Sequence, residues 1–202
     1  MSDSDQPGGL VTEIIKTTAV IRFPRLAKRN SLSKDVLDQL EQTLAELCLR
    51  DDIKALVFTG TGDVFASGAD IVELAQLTTE TALSFAKRGQ AIFKRIADAR
   101  QVTIAAINGY CMGGALDLVL ACDLRIASAK AVFAHPGAKL GIITGWGGTQ
   151  RLPRVVGRAR ALELFCTARR IESEEALDIG LVTEVCDPVL ACALEVARRA
   201  VT

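Results

Sequence analysis

The sequence predicts an α/β domain built on a largely parallel sheet. Short apolar runs rich in β-branched residues, such as KALVFT at 54–59 and VTIAAI at 102–107, alternate with longer segments of helical period. Both of these runs end in glycine-bearing loops, FASGAD and GYCMGG, that lead directly into helices. In open α/β sheets, ligands bind where such loops leave the carboxyl ends of strands. At 202 residues, half of them apolar, the chain is long enough for one substantial core.

The elements follow in order. Residues 1–9 are polar and glycine-bearing and are expected to be disordered, with one domain over 10–202. Segments 11–15 and 19–23 read as a strand hairpin. PRLAKRNS at 24–31 is a basic loop. Ser33 is placed to cap a helix running to about residue 49, with Val36, Leu40, Leu44 and Leu47 on one face. After the strand at 54–59, three glycines mark 60–68 as a loop. A helical segment follows Asp70, and an amphipathic helix covers 79–97 with Phe85, Ile92, Phe93 and Ile96 inward. A buried strand at 102–107 turns into a helix near Gly114. Short strands are expected at 124–127 and 131–133, then a glycine-rich stretch at 137–149. Helices at 150–155, 159–168 and 173–179, the last capped by Ser173, precede a strand at 182–185 and a final helix from Pro188.

Charge and composition exclude several classes. Lys plus Arg equals Asp plus Glu at 24 each, which gives no electrostatic case for nucleic acid or an anionic membrane as main partner. The arginines at 151, 154, 158 and 160 read first as a solvated helix face and second as a phosphate clamp. The longest uncharged run is too short and too broken to span a membrane. Six cysteines and one histidine form no zinc pattern, and the cysteines are expected to be reduced, in a cytoplasmic setting. A P-loop and a Rossmann fingerprint are both absent, and FASGA lacks the leading glycine of a nucleophile elbow. His135, in HPG, reads as a turn residue before it reads as a base. Trp146, between glycines, reads as packing before pocket lining.

NGYCMGGALDLVLACDLRIAS, at 108–128, is the informative stretch. Adjacent glycines are unfavourable in a helix, and a lone buried acid is costly. Gly113, Gly114 and Asp117 therefore suggest chemistry. Glycines at a helix start free backbone N–H groups and allow close approach. Two such loops side by side could aim two N–H groups at one oxygen, as an oxyanion hole does. Close packing of helix on strand is the competing reading of the same glycines.

These segments, taken together, resemble the crotonase superfamily, also called the enoyl-CoA hydratase/isomerase family. KRNSLS, FASGADI, IAAINGYCMGGALDLVLACDLRIAS, AVFAHPGAKLGIITGWGGTQRLPRVVG and IESEEALDIGLVTEV occur in the family's order over roughly residues 10–200. The resemblance implies a spiral of stacked ββα units, assembled as a homotrimer or hexamer. It implies a coenzyme A thioester as substrate, with no permanently bound cofactor. The oxyanion-hole amides map onto Ala69 and Gly114. Lys28, Arg29, Ala66, Gly68, Asp70 and Ile71 fall on the coenzyme A side, with Tyr110 and Gly113 flanking the thioester. Asp117 stands where the family often keeps an acid/base carboxylate.

The sequence departs from the family pattern in two respects, the glutamate pair and the length. Hydratases of the family carry two glutamates; the first position is Asp117 and the second is Gly137. A glycine there also occurs in the dihydroxynaphthoyl-CoA synthase branch, but the aspartate which that branch carries in the following loop maps to Thr144. The chain stops at Thr202, where relatives continue into C-terminal helices that help the trimer form, so that region is expected to be shortened or absent. The resemblance implies hydration of a 2-enoyl-CoA, with isomerisation, decarboxylation or a non-catalytic acyl-CoA-binding role as alternatives. A serine hydrolase using Ser67 and His135 is the reading of another class.

Overall fold

The computed structural model describes residues 9–200, so the expectation of a disordered tail falls, but for Gly9, outside the described residues. Two sheets form the frame. The larger has the order β1 (Val11–Ile15), β2 (Thr18–Arg22), β3 (Ala55–Thr59), β5 (Val102–Ile107), β7 (Leu124–Ala127) and β10 (Glu184–Val185). Only the β1–β2 hairpin is antiparallel in it. The smaller sheet has the order β4 (Val64–Ala66), β6 (Tyr110–Met112), β8 (Val132–Ala134) and β9 (Ile171–Glu172). Its first two pairings are parallel and its last antiparallel.

The chain visits the two sheets alternately. β3 is followed by β4 and then by helices α2 (Ile71–Ala75) and α3 (Thr79–Ala97); β5 by β6 and α4 (Gly114–Val119); β7 by β8 and α5 (Gly137–Leu140). That is the stacked ββα spiral. Among the described residues, β4, β6 and β9 were absent from the sequence reading, which gave 60–68 and 109–113 as loop or turn. Two or three residues are too few to show a period of two. They extend only because neighbouring strands fill their hydrogen bonds.

Helix α1 (Lys34–Leu47) is capped by Ser33, whose hydroxyl accepts from the Val36 N–H. Its face of Val36, Leu37, Leu40, Leu44 and Leu47 is buried in the main core with Ile92, Phe93 and Ile96 of α3. α6 (Gly148–Val156), α7 (Arg158–Thr167) and α8 (Ser173–Asp178) follow. Ser173 is not the cap of α8. It is the first helical residue, and its hydroxyl donates to the Ala129 carbonyl instead. The final helix, α9 (Val189–Ala200), covers the other face of the larger sheet. There Val189, Ala193 and Ala197 meet Val20, Val57, Ile104 and Ile126. Small side chains on α9 permit that close approach.

The cysteine expectation is corrected at this end. Cys186 and Cys192 form a disulfide, with Cα atoms 6.4 Å apart. The Cys192 N–H donates to the Pro188 carbonyl, so the first turn of α9 brings position 192 back beside 186. Cys48, Cys111, Cys122 and Cys166 are free thiols.

Side-chain amides tie the two sheets together. Asn108 Oδ1 accepts from the Gly60 N–H at 2.8 Å, and its Nδ2 donates to the carbonyls of Gly62 and Val64. Asn30 Nδ2 donates to the Val64 carbonyl at 2.8 Å. Gly109 lies between β5 and β6, where a Cβ would stand 1.9 Å from the Asp63 carbonyl oxygen. Backbone, not a movable side chain, fills that space. Gly109→Ala is therefore expected to destabilise the fold by about 3 kcal/mol, read as a lowered midpoint in urea unfolding. An unchanged midpoint would contradict this packing.

Candidate active site

A cleft of about 570 Å³ opens beyond the carboxyl ends of β4 and β6. Ser67 and Ala69 line it from the first loop, and Gly113 and Gly114 from the second. Its walls are mostly apolar. Leu74, Leu77 and Phe85 come from the α2–α3 side, Ile142 from the loop after α5, and Leu162 and Phe165 from α7. A cleft with few polar groups suits a flexible apolar substrate oriented by a small number of hydrogen bonds.

Two of those polar groups are backbone amides. Gly68 takes a positive φ of 87°, and a Cβ on it would lie 2.9 Å from the Gly114 nitrogen. A Cβ on Gly114 would in turn lie 3.5 Å from the Ala69 nitrogen. The two loops thus pass within van der Waals contact, with the Ala69 and Gly114 amides side by side. Among the described residues, neither N–H has an acceptor in the chain. Gly114 is the first residue of α4, so its N–H is one of the helix's unpaired donors. The arrangement can hydrogen-bond one oxygen twice.

Asp117 lies one turn further along α4 and is wholly buried. It is not itself part of the cleft lining. Its Oδ2 accepts from the Thr144 hydroxyl and, at 3.2 Å, from the Trp146 N–H. Its Oδ1 lies 3.2 Å from His135 Nε2. That contact is off the hydrogen-bonding axis, and each of these two buried atoms is left without a hydrogen-bond partner. Thr144, Trp146 and His135 all line the cleft. Asp117 therefore faces the cleft through three neighbours. Gly148 completes the cage, since a Cβ there would stand 2.0 Å from Asp117 Oδ1.

His135, read first as a turn residue from the sequence, also lies on the cleft beside Asp117. It is 4% exposed, and its ring packs on Phe165 at 5.0 Å between centroids. HPG does make a turn, with Pro136 preceding α5, but the imidazole points into the site. Only the spatial proximity of Asp117, 18 positions earlier in sequence, distinguishes it. Trp146 fills both roles weighed for it. It packs against Phe85 and Phe93 and also forms cleft wall. Gly89 and Gly114 leave it room: a Cβ on either would come within 2.5 Å of the indole.

The other expected residues divide. Ile71, Gly113 and Gly137 line the cleft. A Cβ at Gly137 would approach the Ile142 carbonyl oxygen to 2.6 Å, so this backbone has no room for an acid there. Ala66 is buried in the core and positions the loop from within. Asp70 caps α2, accepting from the Val72 N–H at 2.9 Å. Lys28 and Arg29 are exposed on a neighbouring turn, linked to the first loop where the Ser67 N–H donates to the Arg29 carbonyl. Tyr110 lies off the cleft, under the guanidinium of Arg29 at 5.4 Å and near that of Arg170 at 5.9 Å. Among the described residues, no cluster of three metal-ligating side chains occurs, and no helix is long and apolar enough to cross a membrane.

The parallel ββα spiral brings the two amides together beside an apolar cleft. The chain belongs to the enoyl-CoA hydratase/isomerase family, whose profile matches residues 13–201. It is 37% identical over 187 residues to the short-chain-enoyl-CoA hydratase of Clostridium acetobutylicum, covering 91% of this chain and 72% of that one. It is 38% identical over 180 residues to the crotonyl-CoA hydratase of Syntrophomonas wolfei, covering 89% and 69%. Among solved structures, Pseudomonas aeruginosa DspI aligns with a TM-score of 0.91 at 39% identity, over 98% of this chain and 76% of that one. An enoyl-CoA hydratase from Bacillus anthracis aligns at 0.90 and 34% identity, over 94% and 75%. The fold is the crotonase fold.

The free thiols provide a test of this geometry. Cys166 is exposed and lines the cleft. Burial pushes the Cys111 and Cys122 thiols well up, which suppresses the reactive thiolate. Iodoacetamide is expected to modify Cys166 well before Cys111 or Cys122 in the native protein, as followed by peptide mass mapping. Equal rates at the three would count against the packing described.

Proposed function

We propose that the cleft binds a coenzyme A thioester, with its carbonyl oxygen between the N–H groups of Ala69 and Gly114. The observation that carries this reading is the pair of adjacent, unengaged amides at one end of an apolar cleft. Charge that develops on the oxygen as an enolate forms meets donors already in place, and one such donor is typically worth about 3–4 kcal/mol of barrier. The acyl chain lies along Leu74, Leu77, Phe85 and Leu162. The exposed cations of Lys28 and Arg29 stand beside the first loop, where the coenzyme's phosphates emerge.

The reaction proposed is addition of water to a 2-enoyl thioester. The two relatives named as hydratases support it, as does the enolate-stabilising geometry. Isomerisation or decarboxylation is the second reading, favoured by the missing side chain at Gly137. Self-association as a trimer or hexamer and action in the cytoplasm are part of the same proposal. Leu140, Ile142 and Ile143 are exposed at the cleft wall and offer apolar surface to a further copy.

A panel of acyl-CoA thioesters incubated with the chain in deuterated water, scored by mass spectrometry, tests the assignment. Gain of one water by crotonyl-CoA is the expected result. Exchange at the α-carbon without water gain would select the second reading, and neither would sink the proposal. In Gly114→Ala the new methyl meets the Trp146 ring and stands beside the Ala69 amide. Turnover is expected to fall at least about a hundredfold.

A further inference from the structure

We propose that His135 is the catalytic acid and base of this site, and that Asp117 is its positioning residue. This rests on the acyl-CoA reading above. Hydration by the family's two-carboxylate arrangement lacks its second member here, because Gly137 has no side chain and no room for one. A proton carrier is still required. His135 lines the cleft and carries an imidazole, a group with two ring nitrogens that can each take or give a proton.

The geometry supports a paired role. His135 Nε2 and Asp117 Oδ1 face each other at 3.2 Å in a pocket closed to solvent. Neither atom has a hydrogen-bond partner in this arrangement. A proton on Nε2 directed at the carboxylate would satisfy both atoms with a small ring rotation. Two unpartnered buried polar atoms in contact are costly in a purely structural role. Asp117 is fixed in turn by the Thr144 hydroxyl and the Trp146 N–H. Nδ1 of His135 is not sealed as Nε2 is, and the ring lines the cleft. The other titratable or charged groups nearby include Cys166 on the same cleft, Cys111 beside Asp117, and Arg151, which donates to the Trp146 carbonyl at 3.2 Å.

The step balances with one carrier. Nδ1 takes a proton from water as the water oxygen bonds to the β-carbon. The electron pair of the double bond moves to the thioester oxygen, held by the Ala69 and Gly114 amides. The imidazolium then returns its proton to the α-carbon, restoring the carbonyl and the neutral ring. Asp117 keeps its charge throughout and stabilises the imidazolium.

Crotonyl-CoA hydration by the full chain tests the pair. The wild-type chain is assayed first: absence of both hydration and α-proton exchange would overturn the acyl-CoA reading and this proposal with it. Given wild-type turnover, His135→Ala and His135→Gln are each expected to lower kcat by about a hundred- to ten-thousandfold, with KM within about threefold. Added imidazole is expected to restore part of the activity of His135→Ala. Asp117→Asn should lower kcat about tenfold or more with KM little changed, yet cost little further in the His135→Ala background, because the two act as a unit. Near-wild-type kcat in His135→Gln would show a structural histidine and overturn the proposal while leaving the acyl-CoA reading intact. So would an Asp117→Asn effect undiminished in the double variant.

Discussion

The site depends on the parallel pairing of β4 with β6. Val64 lies opposite Tyr110, and Ala66 opposite Cys111. Because the strands run the same way, their carboxyl ends emerge side by side, and two loops distant in sequence leave the sheet at one point. Gly68 and Gly113, both at positive φ, let those loops turn without a side chain between them. Every later feature follows from that meeting: the adjacent amides, the start of α4, and the cleft beyond.

The pairing is held from beneath by polar groups that close the hydrogen bonds left open in such short strands. Asn30 and Asn108 both donate to the Val64 carbonyl. The Leu32 N–H donates to the Gly68 carbonyl at 2.8 Å, fixing the first loop just before the Ala69 amide. Thr103 plays a similar part in the larger sheet. Its N–H and hydroxyl both donate to Asp123 Oδ2 at 2.8 Å, so that the strand after α4 starts in register with β5.

A second constraint is the burial of Asp117. An isolated carboxylate in a closed interior costs several kcal/mol, and the fold offsets this with the Thr144 hydroxyl and the Trp146 N–H, with the His135 ring close by. Those partners come from the end of β8 and from the glycine-rich loop before α6. The same contacts that satisfy the acid therefore fix the cleft wall. Gln90 adds to this from α3, donating to the Gly145 carbonyl at 2.7 Å. Binding chemistry and wall architecture share one hydrogen-bond network.

The amphipathic helices and the larger sheet were legible in the sequence, since α1, α3 and the runs at 55–59 and 102–107 carry enough residues to display a period or a continuous apolar core. Local composition also determined the glycine loops, the cap at Ser33 and, through motif order, the family. Tertiary structure alone decided β4, β6 and β9 of the smaller sheet, because strands this short form only by pairing with neighbours. It decided which side chains face the cleft: Tyr110, expected beside the thioester, turned to Arg29, while His135, expected in a turn, met Asp117. It also paired Cys186 with Cys192. Periodicity and capping act over a few residues and can be read along the chain. Convergence of groups far apart in sequence depends on the path of the backbone between them, and no local pattern records it.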